Sequence, residues 1–234
     1  MIDNLTIRPT NQLLASLPAD VWARIYPKLE LVEVPLGEVL YNSGSVIPYV
    51  YFPERSMISV VAYTKEGQGA EVAVVGREGA TGIDVILGSD TTTTHYVTQI
   101  GNKGYRMRTA DVRAEFGSCP AFRDELLHFT RKFIVQISQT ALCNRLHVTE
   151  KRLSRWLLMC RDRADSNVLN LTQEFISIML GANRTTVTMT AIELQNLGLI
   201  KYSRGILTIV DRPGLEAFSC DCYATIRDAY LDKK

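Results

Sequence analysis

The sequence predicts an α+β chain with an N-terminal antiparallel β-roll, one long helix and a C-terminal group of short helices closed by a hairpin. Three observations carry this reading. From Leu31 to Met107, short β-branched and aromatic runs alternate with turn residues. After Pro120, a single amphipathic stretch runs without a breaker to about Leu146. Beyond it, helical segments separated by Gly181 lead into KYSRGILTIV, two short strands around a Ser203-Arg204-Gly205 turn. The expected divisions are residues 1–119 for the roll with its leading helices, 120–146 for the long helix, and 147–234 for the C-terminal domain.

The composition suits a packed core. The chain has 234 residues, 46% hydrophobic and 22% charged, with 15 Gly and 8 Pro, which excludes disordered, collagen-like and disulfide-scaffold classes. No run approaches the ~18 apolar residues of a membrane span. The N-terminus lacks a basic lead before an apolar run, and five scattered cysteines suit a reducing interior, so a cytoplasmic location without membrane contact is expected.

At the start, Leu13, Leu14, Leu17, Val21, Trp22 and Ile25 follow helical spacing, interrupted by Pro18 and Pro27. In the roll, VEVPLGEVLY, YVYFPE, MISVVAYT, EVAVVG, HYVTQI and YRMR read as strands. The glycines of Gly76–Gly82 read as turn geometry, since no Lys-Ser/Thr follows them. In the long helix, Phe122, Leu126, Phe129, Phe133, Ile137 and Thr140 step by three and four, with Ile134, Ala141 and Leu142 widening the stripe. At ~37 Å such a helix outruns a small roll, so part of this stripe is expected to meet a second copy. The alternative is a helix buried wholly within its own chain.

Charge is uneven. Residues 1–144 carry 13 Lys and Arg against 15 Asp and Glu, whereas residues 145–204 carry 9 against 5, a local net of +4 in a chain of net +1. A polyanion partner on that segment is one reading, chance clustering on a solvated face the other. The segment LTQEFISIMLGANRTTV gives the first reading its form. Thr172 and Asn183 can cap two short helices separated by Gly181. Phe175, Ile176, Met179, Val187, Ala191 and Leu194 close a shared core, leaving Arg184, Thr185, Thr188, Met189 and Ile192 outward. That is the plan of a helix-turn-helix, whose second helix reads bases in the major groove, and the hairpin with Lys201 and Arg204 is its wing.

This order of elements, and the segment just quoted, resemble the Crp/Fnr regulators, a likeness running from about Gln12 to Val210. The resemblance implies a cyclic-nucleotide-binding-like β-roll, a dimerisation helix and a winged helix-turn-helix. It implies a homodimeric transcription regulator that reads an inverted repeat in double-stranded DNA, works with RNA polymerase, and is set allosterically by a small effector. Carried over position by position, Arg184 matches the guanine-reading arginine, with Thr185, Thr188 and Met189 beside it as base readers. Thr172, Gln173, Asn183, Thr186, Lys201 and Arg204 are the expected phosphate contacts. Thr185 and Met189 depart from the family's common acidic residue and second arginine, which points to a different, more A·T-rich half-site.

In cyclic-nucleotide-binding members, a Gly-Glu pair holds ribose and an Arg-Ser pair holds phosphate. The matching positions here are Gly82, Ile83, Asp84, Thr93 and Thr94, an effector pocket without an arginine unless Arg77, Arg106 or Arg108 reaches in. Binding of cyclic AMP is therefore not expected. An iron–sulfur cluster in the roll is excluded because the first cysteine is Cys119. Haem would depend on His95 alone. Cys220 and Cys222 read as buried thiols on a terminal helix, with metal binding the lesser alternative, and His95, His128 and His147 read as structural. No metal and no cofactor is expected. Three dispersed histidines and scattered acids assemble no nucleophile–base arrangement, so an enzyme is not expected. The remaining alternatives are an effector-binding module whose winged helix docks a protein partner, and a true cyclic-nucleotide-dependent regulator.

Overall fold

The computed structural model describes residues 8–231. Two short helices open it, α1 (Gln12–Ala15) and α2 (Ala19–Ile25), parted at Pro18 and followed by a 3-10 turn over Tyr26–Lys28. Asn11 caps α1 and is fully buried. Its side chain accepts from Leu14 N and donates to the carbonyls of Pro53 and Gly79 at 2.9 Å each, so no polar atom of the amide is stranded.

Seven strands follow: β1 (Leu29–Val34), β2 (Val39–Tyr41), β3 (Tyr49–Pro53), β4 (Met57–Tyr63), β5 (Gly69–Val75), β6 (His95–Ile100) and β7 (Asn102–Arg108). They form two sheets, in the order β1-β7-β3 and β2-β6-β4-β5. Val34, Val50, Phe52, Ile58 and Met107 are all at most 2% exposed and fill the interior. β4 is buried continuously from Met57 to Val61, and its Ser59 hydroxyl is satisfied by Gln99 Oε1 at 2.7 Å.

A helix absent from the sequence reading, α3 (Thr109–Ser118), follows β7. It has almost no apolar stripe, and its most buried positions are Val112 and Glu115. Glu115 is held there by ion pairs with Arg24 and Lys28. Burial raises its carboxyl, but these two cations outweigh that and hold it below the usual range.

The long helix, α4 (Pro120–Leu146), has 27 residues and so runs ~40 Å. Most of the stripe expected to meet a second copy is buried within the single chain. Phe122, Leu126, Phe129, Phe133 and Thr140 are at most 6% exposed within this single chain, and Ile137 is half-buried. Phe122 packs against the Phe52 ring at a centroid distance of 6.5 Å, and Phe129 sits so close over Gly79 that no side chain fits there. The larger aromatic stripe is taken up by the chain itself. Leu127, Ile134 and Leu142 remain 44–54% exposed on another face.

The C-terminal part comprises α5 (Thr149–Ala164), β8 (Val168–Asn170), α6 (Gln173–Leu180), α7 (Arg184–Asn196), β9 (Ile200–Ser203), β10 (Ile206–Ile209), α8 (Arg212–Phe218) and α9 (Asp221–Leu231). β8 was not foreseen; it joins the hairpin in a sheet of order β8-β10-β9. By compactness the chain divides into two units. One holds the residues up to Val60 with Val74–Arg131, the other Val61–Ala73 with the residues from Lys132 on. The tip of the β4–β5 hairpin thus belongs with the C-terminal helices. Within that unit Trp156 Nε1 donates to Glu71 Oε1 at 2.7 Å, and both side chains are buried.

The two faces of α4 respond differently to truncation. Leu126→Ala is expected to lower unfolding free energy by about 3 kcal/mol, whereas Leu127→Ala on the exposed face costs less than about 1 kcal/mol. Urea denaturation of both variants checks this.

Candidate nucleic-acid interface

α6 and α7 are set by caps written into the local sequence. Thr172 Oγ1 accepts from Phe175 N at 3.1 Å, and α6 ends at Gly181 in the left-handed conformation, φ 55°. A side chain at Gly181 would press on Ala70 of the hairpin tip, at 3.2 Å. Asn183 then caps α7, its Oδ1 accepting from Thr186 N at 2.7 Å and Thr186 Oγ1 at 2.9 Å. Ile176, Met179, Val187, Ala191 and Leu194 are buried between the helices, and Phe175 is half-buried against Trp156.

On the opposite side of α7, Arg184, Thr185, Met189 and Ile192 are exposed, Arg184 in the first turn and Met189 at 61%. Arg184 lies 4.0 Å from Glu174, a solvated pair that costs little to exchange. Thr188 is half-buried. Its hydroxyl lies 2.9 Å from the Arg184 carbonyl and 3.0 Å from Gln173 Oε1, so one expected base reader and one expected phosphate contact engage each other.

The wing is a tight hairpin with Arg204 at φ 50° and Gly205 at φ 80°, both left-handed. Such a turn matches the twist of its strands, but a non-glycine residue held there stores strain. Lys201 and Arg204 are both exposed. Tyr202 Oη donates to Leu171 O at 2.8 Å and Leu171 N donates to Gly205 O at 2.8 Å. The wing is thereby fastened to the start of α6, and Gly205 abuts the Thr172 methyl. Thr172 and Asn183 at helix starts, Lys201 in β9 and Arg204 in the turn are thus all exposed on one unit.

Residues 151–218 match the Crp-like helix-turn-helix domain. The chain carries a Crp-like helix-turn-helix on a Crp/Fnr fold. The fold assignment rests on solved structures. A Crp/Fnr-family transcriptional regulator of Eubacterium rectale is 17% identical with a TM-score of 0.70, covering 88% of this chain and 97% of its own. FixK2 of Bradyrhizobium japonicum is 14% identical, TM-score 0.70, over 82% and 98%. CLP of Xanthomonas campestris, described as a c-di-GMP-responsive global regulator, is 13% identical, TM-score 0.69, over 83% and 100%. No curated protein matches the chain by sequence. Among the described residues no helix is long and apolar enough to cross a membrane.

The roll places the expected effector residues on two segments. Gly82, left-handed at φ 65°, precedes the 3-10 turn Ile83–Val85, and Thr93 and Thr94 lead into β6. Asp84 is half-buried beside Thr92, and burial pushes its carboxyl above the usual range. The space next to Gly82 is occupied: a Cβ there would come 3.1 Å from Ile47 and 3.4 Å from the Tyr41 hydroxyl. That hydroxyl is engaged by Tyr49 O at 2.6 Å and Thr81 Oγ1 at 2.7 Å. Arg106 turns elsewhere, bonding Glu30 at 2.8 Å and lying over the Tyr49 ring, where it lines a cleft of ≈ 340 Å³ together with Arg108. The arginine that does reach the turn is Arg113, which the sequence reading missed. It pairs with Asp90 and donates to Val85 O at 3.5 Å. It comes from α3, the helix that lacks a periodic signal.

Replacing Arg204 with Gly removes the left-handed strain and is expected to stabilise the protein by about 0.5–1 kcal/mol. Asn183→Ala removes the α7 cap and is expected to cost about 1 kcal/mol. Thermal denaturation measures both.

Proposed function

We propose that this chain is a homodimeric transcription regulator that reads an inverted repeat through α7. One observation carries the reading: a capped helix with one face buried presents Arg184, Thr185, Met189 and Ile192 to solvent beside a wing bearing Lys201 and Arg204. Arg184 donates two bonds to a guanine edge, and Met189 makes apolar contact with a thymine methyl. Thr172, Asn183, Thr186, Lys201 and Arg204 hold phosphate, through exposed cap amides and hydroxyls as well as charge. Gln173 and Thr188 act mainly as a clasp between the two helices, given the hydrogen bond they share.

The dimer face is the exposed stripe of α4. Leu127, Ile134 and Ala141 recur every seven residues, flanked by Leu142, the spacing of a coiled-coil seam. Two chains joined there bring two recognition helices to half-sites ~34 Å apart. The β4–β5 tip offers a route for control, because Glu71 touches Trp156 of α5 and Ala70 borders the Gly181 turn. A shift of that hairpin changes the seat of the helix-turn-helix. Cyclic AMP is not the expected signal, because Ile83 and Thr93-Thr94 stand where a ribose-binding glutamate and a phosphate-binding arginine would be needed.

Arg184→Ala is expected to cost about 1–3 kcal/mol on the preferred duplex and to relax discrimination at one base pair. Lys201→Ala weakens binding to all sequences and lowers the salt slope by about 1. Fluorescence anisotropy over a salt series reads both, and a slope unchanged by Lys201→Ala contradicts its phosphate role. Ile134→Asp is expected to give a folded monomer in sedimentation equilibrium; a persistent dimer refutes the assigned face.

A further inference from the structure

Cys143, His147, Cys220 and Cys222 gather one ligand atom each within 4.8 Å of one another. Cys143 and His147 lie four residues apart at the end of α4, with His147 N donating to Cys143 O at 3.0 Å, so both face the same way. Cys220 joins α8 to α9, and Cys222 is the second residue of α9. The Sγ atoms of Cys143 and Cys220 are 3.5 Å apart, and Cys222 Sγ is 3.6 Å from His147 Nδ1. A tetrahedral ion with Zn–S of ~2.3 Å and Zn–N of ~2.05 Å requires S···S edges of ~3.8 Å and S···N edges of ~3.6 Å.

We infer that these four side chains form a Cys3His site for a single thiophilic divalent cation, zinc above all, clasping the end of α4 to the α8–α9 junction. Simple core filling explains the cluster less well. The three buried thiols pack as a cluster of their own, and an imidazole nitrogen points at one of them. Thiolate and imidazole donors select zinc over calcium or magnesium. In a [4Fe–4S] cluster each ligand sits on a different iron, so its ligand atoms stand farther apart than these. His147 Nε2 is 3.9 Å from the exposed Asp221 carboxylate, beyond hydrogen-bond distance, which leaves Nδ1 as the ring nitrogen turned to the thiols. Binding replaces three thiol protons, so Zn2+ and three thiols give a site of net charge −1 and three protons in solvent. A compensating cation is at hand. Arg155, 3% exposed, acts electrostatically on Cys143, and its Nε has no hydrogen-bond partner among the described residues.

The test uses the full chain purified from zinc-supplemented cells, its metal content, and cobalt titration after chelation. About one zinc per chain is expected. Cobalt is expected to give tetrahedral d–d bands with thiolate charge transfer, and zinc to raise the melting temperature of the metal-free chain. Cys222→Ala and His147→Ala should abolish or shift the cobalt spectrum, while Cys119→Ala, outside the cluster, leaves it intact. Zinc absent from the wild-type chain together with a cobalt spectrum lacking thiolate bands overturns the site, whatever the variants do. So does a Cys143–Cys220 disulfide in protein isolated with its thiols blocked, or a cobalt spectrum indifferent to Cys222→Ala.

Discussion

Burial of α5 on every side constrains the C-terminal unit. From Leu153 to Cys160 no residue is more than 3% exposed, so the helix has no solvent face and α6, α7, α8 and α9 must be laid around it. A helix so enclosed has to satisfy its own polar groups. Ser154 donates back to Glu150 O at 2.8 Å, and Arg155 reaches Thr140 Oγ1 at 3.3 Å. Arg163 bonds Met159 O at 3.2 Å and lies over the Tyr230 ring. Trp156 spends its one donor on Glu71. These bonds fix the rotation of α5, and that rotation fixes which face of α7 is left for solvent.

The exposed face of α7 follows from that constraint. With Val187, Thr190, Ala191 and Leu194 held inward, the remaining positions of α7 can only point away from the core. Its exposed face is poor in acidic groups near its start and includes an uncommonly exposed methionine and isoleucine. The wing adds cations at a turn whose backbone is strained, which is the kind of cost that persists where a side chain is needed for something other than stability.

Local features were legible in the sequence; features made by distant residues were not. Thr172, Gly181 and Asn183 act on neighbours within four residues, so the ends of α6 and α7 were readable directly. The roll was readable from its alternation of strands and turns. The face of α4 was not, because two apolar stripes share the helix and only the rest of the fold decides which is covered. Phe122, Leu126, Phe129 and Phe133, being the bulkier set, go inside; Leu127 and Ile134 do not. α3 stayed hidden because a buried Glu115 carries no apolar signal and depends on Arg24 and Lys28, far back in the chain. The thiol–imidazole cluster was hidden for the same reason: Cys143 and Cys220 stand 77 residues apart, and nothing local announces their meeting.

The proposed function requires that two copies of the chain read duplex DNA as a symmetric pair. Selection from a random duplex library with the purified protein, with and without cyclic AMP, tests it most directly. Enrichment of an inverted repeat with half-sites about one helical turn apart, the same in both arms, is the expected result. Enrichment of nothing, of an unpaired site, or of a repeat only when the nucleotide is present would contradict it.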